Sequence, residues 1–129
     1  MADLRPACLE VFRQLGCGHA ECVYHKALAI ELQNHPNVKH LETEKHVPIV
    51  YTAANHTHTV GSCRVDLIYT EVDTQKRVLV ELKATASSAG AGGTHQVEKY
   101  VRLLGRVDEA YLVNFKQVSE GGVDFLRIV

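Results

Sequence analysis

Residues 64–84, RVDLIYTEVDTQKRVLVELKA, carry the most informative pattern of the chain. Apolar residues dominate both ends of it, and the polar, turn-forming residues 71–75 separate them. The pattern predicts two strands, residues 60–69 and 77–84, that pair as an antiparallel hairpin.

Two charged residues lie on the same side of the second of these strands. Because successive side chains of a strand point to opposite faces, Glu81 and Lys83 project together, about 6.6 Å apart along the strand. The apolar residues alternate with them and form the buried face, so the Glu81 side is expected to be a solvated or functional surface. If the first strand brings Asp66 beside Glu81, two carboxylates and one ammonium group meet at one end of the sheet.

This arrangement has two interpretations. Two adjacent carboxylates repel each other unless a cation joins them, and paired hard oxygen ligands suit Mg²⁺ or Mn²⁺. Asp66, Glu81 and Lys83 could equally form cross-strand ion pairs on an outer face, each worth about 0.2–1 kcal/mol. These three residues alone do not decide between a metal site and surface ion pairs.

The rest of the chain predicts an α/β (α+β) fold with a mixed sheet and helices packed on it, in the order ααβββαββ. Pro48 favours an edge position for the strand over residues 46–51, which precedes the two strands above. The polar residues 52–59 are expected to be the hairpin connection that follows it. Besides the two strands above, the predicted elements are helices over residues 4–15, 20–34 and 95–104, and strands over 46–51, 110–115 and 124–128.

Small residues fill the segment ATASSAGAGGT, residues 84–94. A glycine-rich phosphate cradle would need the spacing G-x-x-x-x-G-K-[ST], which is missing here. A mobile surface loop is therefore expected. Residues 120–122, Glu-Gly-Gly, are expected to form a second hairpin turn between the last two strands.

The composition limits the class of protein. A chain of 129 residues has room for one domain, residues 1–129, and 46% apolar with 22% charged residues is typical of a globular protein. No run approaches the roughly 18 apolar residues of a membrane span, and the N-terminus lacks the continuous apolar stretch of a signal peptide, so an intracellular protein is expected. A net charge of -1 argues against a non-specific polyanion binder with a charged tail, but it does not exclude nucleic acid.

Four cysteines and eight histidines raise the question of a soft metal site. No two cysteines have the C-x₂-C spacing of zinc modules, and reduced, partly buried thiols are expected. One alternative stays open, a metal site built from Cys17, His19, Cys22 and His25.

Two further pairs share helix faces. Glu21 and Tyr24 lie three residues apart on the second predicted helix, and Gln96 and Tyr100 lie four apart on the third. Each pair taken alone is unremarkable, since a tyrosine at helical spacing is more often a core residue than a ligand.

Together these residues match a family pattern. With GHAECVY at 18–24, the chain resembles the GxxExxY proteins, a branch of the PD-(D/E)xK nuclease superfamily. The resemblance continues through residues 64–68, 80–84, 96–100, 103–105 and 112–115, and so covers nearly the whole chain. It departs from the family in the polar strip 52–59, the small-residue loop before Gln96 and the terminal Gly-Gly turn. It implies a restriction-endonuclease-like core.

The resemblance also implies roles for individual residues. Asp66 and Glu81 would ligate Mg²⁺ or Mn²⁺, with Glu21 as an accessory ligand of the metal or its water. Lys83 would position or activate the attacking water and offset charge on the phosphate. The remaining residues, Gln96, Tyr100 and Tyr24, are expected to orient the site or bind substrate.

The leading functional hypothesis is therefore a metal-dependent nuclease that hydrolyses phosphodiester bonds in DNA. The alternative is a catalytically silent nuclease fold that binds nucleic acid or protein, because a family resemblance predicts fold better than activity. A domain this small covers little of a duplex, which favours a homodimer.

Overall fold

In a computed structural model the chain is described over residues 3–86, 93–118 and 121–129. The observed order of helices and strands is the predicted ααβββαββ. Within the described residues no helix is both long enough and apolar enough to cross a membrane. The elements are α1 (Leu4–Leu15), α2 (Glu21–Gln33), β1 (Val38–Ala53), β2 (His56–Glu71), β3 (Arg77–Lys83), α3 (Gly93–Leu104), β4 (Glu109–Phe115) and β5 (Val123–Arg127).

The five strands form one mixed sheet in the order β1-β2-β3-β4-β5. Strands β3 and β4 are parallel and are connected through α3, whereas the other neighbours are antiparallel. The predicted antiparallel pairing of the two central strands is confirmed, with a register that runs from Leu67 opposite Val80 to Thr70 opposite Arg77. The mixed α+β fold is therefore as predicted.

Apolar side chains cover both faces of β3. Val80 belongs to the cluster that packs under α1 and α2, whereas Leu79 belongs to the cluster under α3. Glu81, next to them, is only 3% exposed. Of the two expectations for the Glu81 side of β3, the solvated face is wrong, because α3 covers that side of the sheet. The functional face stays a prediction.

The first hairpin differs most from the prediction. Strands β1 and β2 have 16 residues each and continue through the polar strip 52–59, so the predicted long connection is wrong. The turn consists of Ala54 and Asn55, both with positive φ (51° and 64°), as a two-residue type I′ hairpin requires. Both faces of this outer hairpin are exposed, so its threonines and histidines form strands without any apolar alternation. Pro48 does lie on an edge strand, as predicted.

The segments before α3 and after β4 are described only in part. Helix α3 begins at Gly93, two residues earlier than expected, and a Cβ there would lie 2.8 Å from Cδ2 of Leu112. Residues 87–92 of the expected mobile loop lie outside the described residues, as do Ser119 and Glu120 next to the expected Gly-Gly turn. The loop therefore stays a prediction.

Candidate active site

A cavity of about 320 Å³ opens where β2 and β3 separate, beneath the start of α2 and one face of α3. Nearly all of its lining is polar or charged. Six of the residues expected from the sequence line it: Glu21, Asp66, Glu81, Lys83, Gln96 and Tyr100. The structure thus brings together residues that lie up to 79 positions apart in the chain.

Asp66 lies where the pairing of β2 with β3 ends. The last paired residues are Leu67 and Val80, and beyond them the Asp66 carboxylate accepts a hydrogen bond of 2.8 Å from the backbone N–H of Leu82. On the other side, Nε2 of His25 is 2.9 Å from the Asp66 carbonyl oxygen. Side chains replace the regular ladder at this point, so the two strands stay attached while they leave room for the cavity.

Glu81 and Asp66 form a carboxyl pair at the base of the cavity. Burial, the hydrogen bond to Asp66 and the negative charge of Asp66 raise the pKa of Glu81 to about 9, whereas the ammonium group of Lys83 acts in the opposite direction. A bound cation would favour the ionised form of both carboxyl groups.

Glu21 brings a third carboxyl group to the cavity from the start of α2. It is the first residue of α2, where the positive end of the helix dipole favours a carboxylate. Burial and the charge of Asp66 nevertheless raise its pKa, while Lys83 and His25 oppose that shift. The electrostatic influence of Asp66 and Lys83 places Glu21 within the same charge network.

Gln96 and Tyr100 form a pair on the α3 side of the cavity. The Gln96 amide donates a 2.6 Å hydrogen bond to the Tyr100 hydroxyl. Burial and the nearby charge of Glu81 raise the pKa of Tyr100 to about 12, so its hydroxyl keeps its proton at neutral pH. This hydroxyl is available as a hydrogen-bond donor at the wall of the cavity.

The donor set fits a divalent cation of the magnesium type. All three acidic side chains offer hard oxygen ligands, and the closely placed pair Asp66–Glu81 is destabilised by its own negative charge. Among the residues that the structure describes, no three His, Cys, Asp or Glu side chains form a ready-made metal cluster. A cation would therefore be held chiefly by the carboxyl pair, with water or substrate oxygens as its other ligands.

Tyr24 does not line this cavity, although the sequence placed it among the substrate-binding residues. Its side chain is fully buried, stacks on Phe115 at 4.8 Å and donates a 2.7 Å hydrogen bond to the Gly16 carbonyl. Gln117 donates a further hydrogen bond of 3.0 Å to the same hydroxyl. A side chain with no exposed surface cannot contact substrate, so this expectation is corrected to a structural role.

The alternative Cys/His metal site is not formed. Cys17 and Cys22 are exposed, His19 contacts the Leu15 carbonyl through Nε2, and His25 contacts Asp66. The two histidines contact different backbone carbonyls, and the four residues do not form a group of metal ligands among the described residues.

Arg64 and Lys99 were not proposed as site residues from the sequence, and His25 was considered only for the Cys/His metal site. His25 holds the backbone at Asp66, while Arg64 and Lys99 line the cavity. Spacing would have found all of them, since His25 lies four residues after Glu21, Lys99 lies three after Gln96, and Arg64 alternates with Asp66 on one strand.

Comparison with known proteins agrees with this fold. A solved structure described as "Crystal structure of SSO0001" superposes with a TM-score of 0.62 at 20% sequence identity, over 83% of this chain and 49% of that one. The chain thus spans about half the length of that structure, and the likeness concerns the fold alone. No curated protein matches the sequence. The family model of the PD-(D/E)XK nuclease superfamily matches residues 2–126, and the chain belongs to that superfamily.

Proposed function

We propose that residues 1–129 form one nuclease domain of the GxxExxY type, which hydrolyses phosphodiester bonds in DNA with the help of Mg²⁺ or Mn²⁺. The observation that carries this proposal is the contact between the Asp66 and Glu81 carboxyl groups inside a polar cavity that Lys83 also lines. Nucleases of this superfamily generally use divalent metals, and an acidic pair of this kind is suited to hold one.

Asp66 and Glu81 would hold the cation, with Glu21 as a further ligand of the metal or of its water. A bound divalent cation lowers the pKa of water and stabilises negative charge on a phosphate oxygen. The backbone N–H of Leu82 fixes the Asp66 carboxylate, and His25 fixes the strand at Asp66. These two contacts keep the ligands in position before substrate arrives.

Lys83 would act on the substrate. It alternates with Glu81 on β3 and lines the same cavity, so its ammonium group can offset charge on the phosphate and orient the attacking water. On α3, the Tyr100 hydroxyl lies at the cavity wall and would donate to substrate, and Gln96 would orient it through their 2.6 Å hydrogen bond.

A cleavage assay tests the proposal. Single-stranded, duplex and branched DNA are incubated with Mg²⁺ or Mn²⁺ and the wild type, Glu81→Gln, or the control Glu98→Gln on the exposed side of α3. We expect cleavage by the wild type and the control, and loss of cleavage by Glu81→Gln. Equal cleavage by all three preparations would identify a contaminant and overturn the proposal.

Titration with Mn²⁺ tests the metal ligands separately. Asp66→Asn keeps an oxygen that can accept from the Leu82 N–H but removes the charge. We expect Mn²⁺ binding by the wild type and strongly weakened binding by Asp66→Asn. Equal binding by the two proteins would remove Asp66 from the metal site.

The second candidate is a nuclease fold without turnover that binds nucleic acid or protein. The net charge of -1 and the lack of a preformed three-ligand cluster among the described residues favour it. If the wild type binds DNA but cleaves none of the substrates with either metal, this candidate replaces the nuclease. In either case a homodimer would cover more DNA surface than one chain. The molar mass in solution, measured by light scattering, tests whether the protein is a dimer.

A further inference from the structure

Two basic side chains on the cavity wall, Arg64 and Lys99, take no part in holding the carboxyl groups described above. We infer that Arg64 and Lys99 bind backbone phosphates of the nucleic acid on either side of the bond that enters the cavity. This inference deepens the proposed function and rests on its nucleic-acid substrate, but it does not require that the protein cleaves.

The charge of the cavity makes such contacts necessary. Glu21, Asp66 and Glu81 bring three carboxyl groups to the cavity, and Lys83 lines it beside them. A nucleic-acid strand carries one negative charge per nucleotide and would be repelled by this surface. Basic side chains at the cavity wall reduce that repulsion and leave the acidic pair for the metal.

Arg64 is only weakly engaged within the protein. Its guanidinium lies 3.8 Å from the Glu44 carboxylate, and both side chains are 57% exposed. An exposed ion pair of this length contributes little, so a phosphate can displace Glu44 at small cost. The planar guanidinium can then bind two phosphate oxygens at once. Arg64 lies two residues before Asp66 on β2, so a phosphate held there is adjacent to the carboxyl pair.

Lys99 approaches the cavity from α3, between Gln96 and Tyr100. Its ammonium group lies 5.9 Å from the centre of the Tyr100 ring. In the part of the chain that the structure describes, it has no carboxylate partner, although carboxyl groups line the cavity beside it. A lysine that is held near an acidic cavity without its own ion pair is suited to a mobile anion such as a phosphate.

Salt dependence of DNA binding tests this inference. Each phosphate contact releases condensed counterions, so log K against log salt should lose about 0.9 of slope for each contact removed on duplex DNA, or about 0.7 on a single strand. The probe is a fluorescein-labelled DNA of about 20 nucleotides, single-stranded or annealed, measured by anisotropy without divalent metal. The proteins are the wild type, Arg64→Ala, Lys99→Ala, the double variant, and the control Arg102→Ala on the exposed side of α3.

We expect each single variant to lower the slope by one contact, the double variant by about two, and Arg102→Ala to leave it unchanged. An unchanged slope in the double variant, an equal loss in Arg102→Ala, or no DNA binding by the wild type would overturn the inference. Circular dichroism and thermal unfolding show that each variant is folded. If the slopes change as expected while the wild type cleaves no DNA, the proposed nuclease activity fails and the phosphate contacts stand.

Discussion

Two pairs of carboxyl groups lie along β2, one at its last residue and one five residues earlier, and their surroundings differ. Glu71 at the end of the strand contacts Asp3, and Asp66 within the strand contacts Glu81. Each pair combines two acids, burial and a hydrogen bond between them. The difference lies in what surrounds the remaining oxygen atoms.

The Asp3–Glu71 pair is closed by the protein itself. Asp3 is fully buried and accepts hydrogen bonds from the backbone N–H of Leu4 (2.7 Å), the Tyr69 hydroxyl (2.9 Å) and the Asn37 amide (3.3 Å). Although burial opposes ionisation, the hydrogen bonds lower the pKa of Asp3, whereas burial raises the pKa of Glu71. The pair therefore connects the start of α1 to the sheet.

The Asp66–Glu81 pair instead opens onto the cavity. Asp66 accepts one backbone hydrogen bond, from Leu82, and both carboxyl groups line the cavity wall. A buried acidic pair stabilises a fold when protein donors surround it, whereas a pair that faces a cavity is available to a ligand. We therefore expect changes at the closed pair to alter stability and changes around the open pair to alter activity.

The largest expected effect concerns Lys83 at the open pair. Lys83→Ala should reduce the rate of DNA cleavage on the order of 10²-fold or more while the protein stays folded and binds Mn²⁺. Lys83→Arg should restore little activity, because a guanidinium places its donors differently and does not give up its proton. Initial rates with Mn²⁺ and thermal unfolding measure both effects. Full activity of Lys83→Arg, with a loss of stability in Lys83→Ala, would instead indicate a cross-strand ion pair.

The next largest effect is expected at the closed pair. Asp3→Ala removes the N-cap of α1 and leaves the Tyr69 hydroxyl without its acceptor, which should lower the free energy of unfolding by about 2 kcal/mol. Asp3→Asn keeps an acceptor oxygen and should cost less. Urea denaturation measures both. Cleavage per folded molecule should not change, and a large loss of activity at full stability would contradict the division between the two pairs.

Tyr24 and Tyr100 offer a smaller, matched test. Tyr24→Phe removes a buried hydroxyl that bonds to Gly16 and Gln117, so it should lower the free energy of unfolding by about 1 kcal/mol without changing cleavage. Tyr100→Phe should reduce cleavage, because that hydroxyl lies at the cavity wall. Urea denaturation and initial rates separate the two. Impaired cleavage in Tyr24→Phe at unchanged stability would return Tyr24 to the substrate-binding residues.

The smallest expected effect is a pH dependence at a third carboxylate that the protein encloses, Glu109. Hydrogen bonds from Tyr111 and Lys76 lower its pKa. A lowered folded-state pKa means that Glu109 stabilises the protein above the usual carboxyl pKa of about 4.5 and that this contribution disappears as the pH falls through the lowered value. Glu109→Gln should therefore be less stable than the wild type by about 1 kcal/mol at pH 7, and by less at pH 3. Urea denaturation at both pH values tests this, and a difference that does not depend on pH would contradict it.

Much of the fold and of the site can be predicted because local patterns carry them. Local patterns indicate which residues share a face: the alternation around Glu81, the turn 71–75 and the helical spacing of Gln96 and Tyr100. The four predicted charged residues, Glu21, Asp66, Glu81 and Lys83, line one cavity. The long first hairpin was missed, because a two-stranded arm exposed on both sides has no buried face and therefore no apolar alternation.

The order of elements, the antiparallel central hairpin and the residue types at its end follow from the amino-acid sequence, since they depend on periods of two and 3.6 and on turn residues close in the chain. The burial of Glu81 and the contact of His25 with Asp66, 41 residues away, follow instead from the packing of helices on the sheet. The same packing buries Tyr24 against Phe115, while Glu21 on the same helix lines the cavity. The physical reason is that burial and hydrogen-bond partners depend on which helix covers which face of the sheet. Spacing along one element shows which side chains lie together but not what lies opposite them.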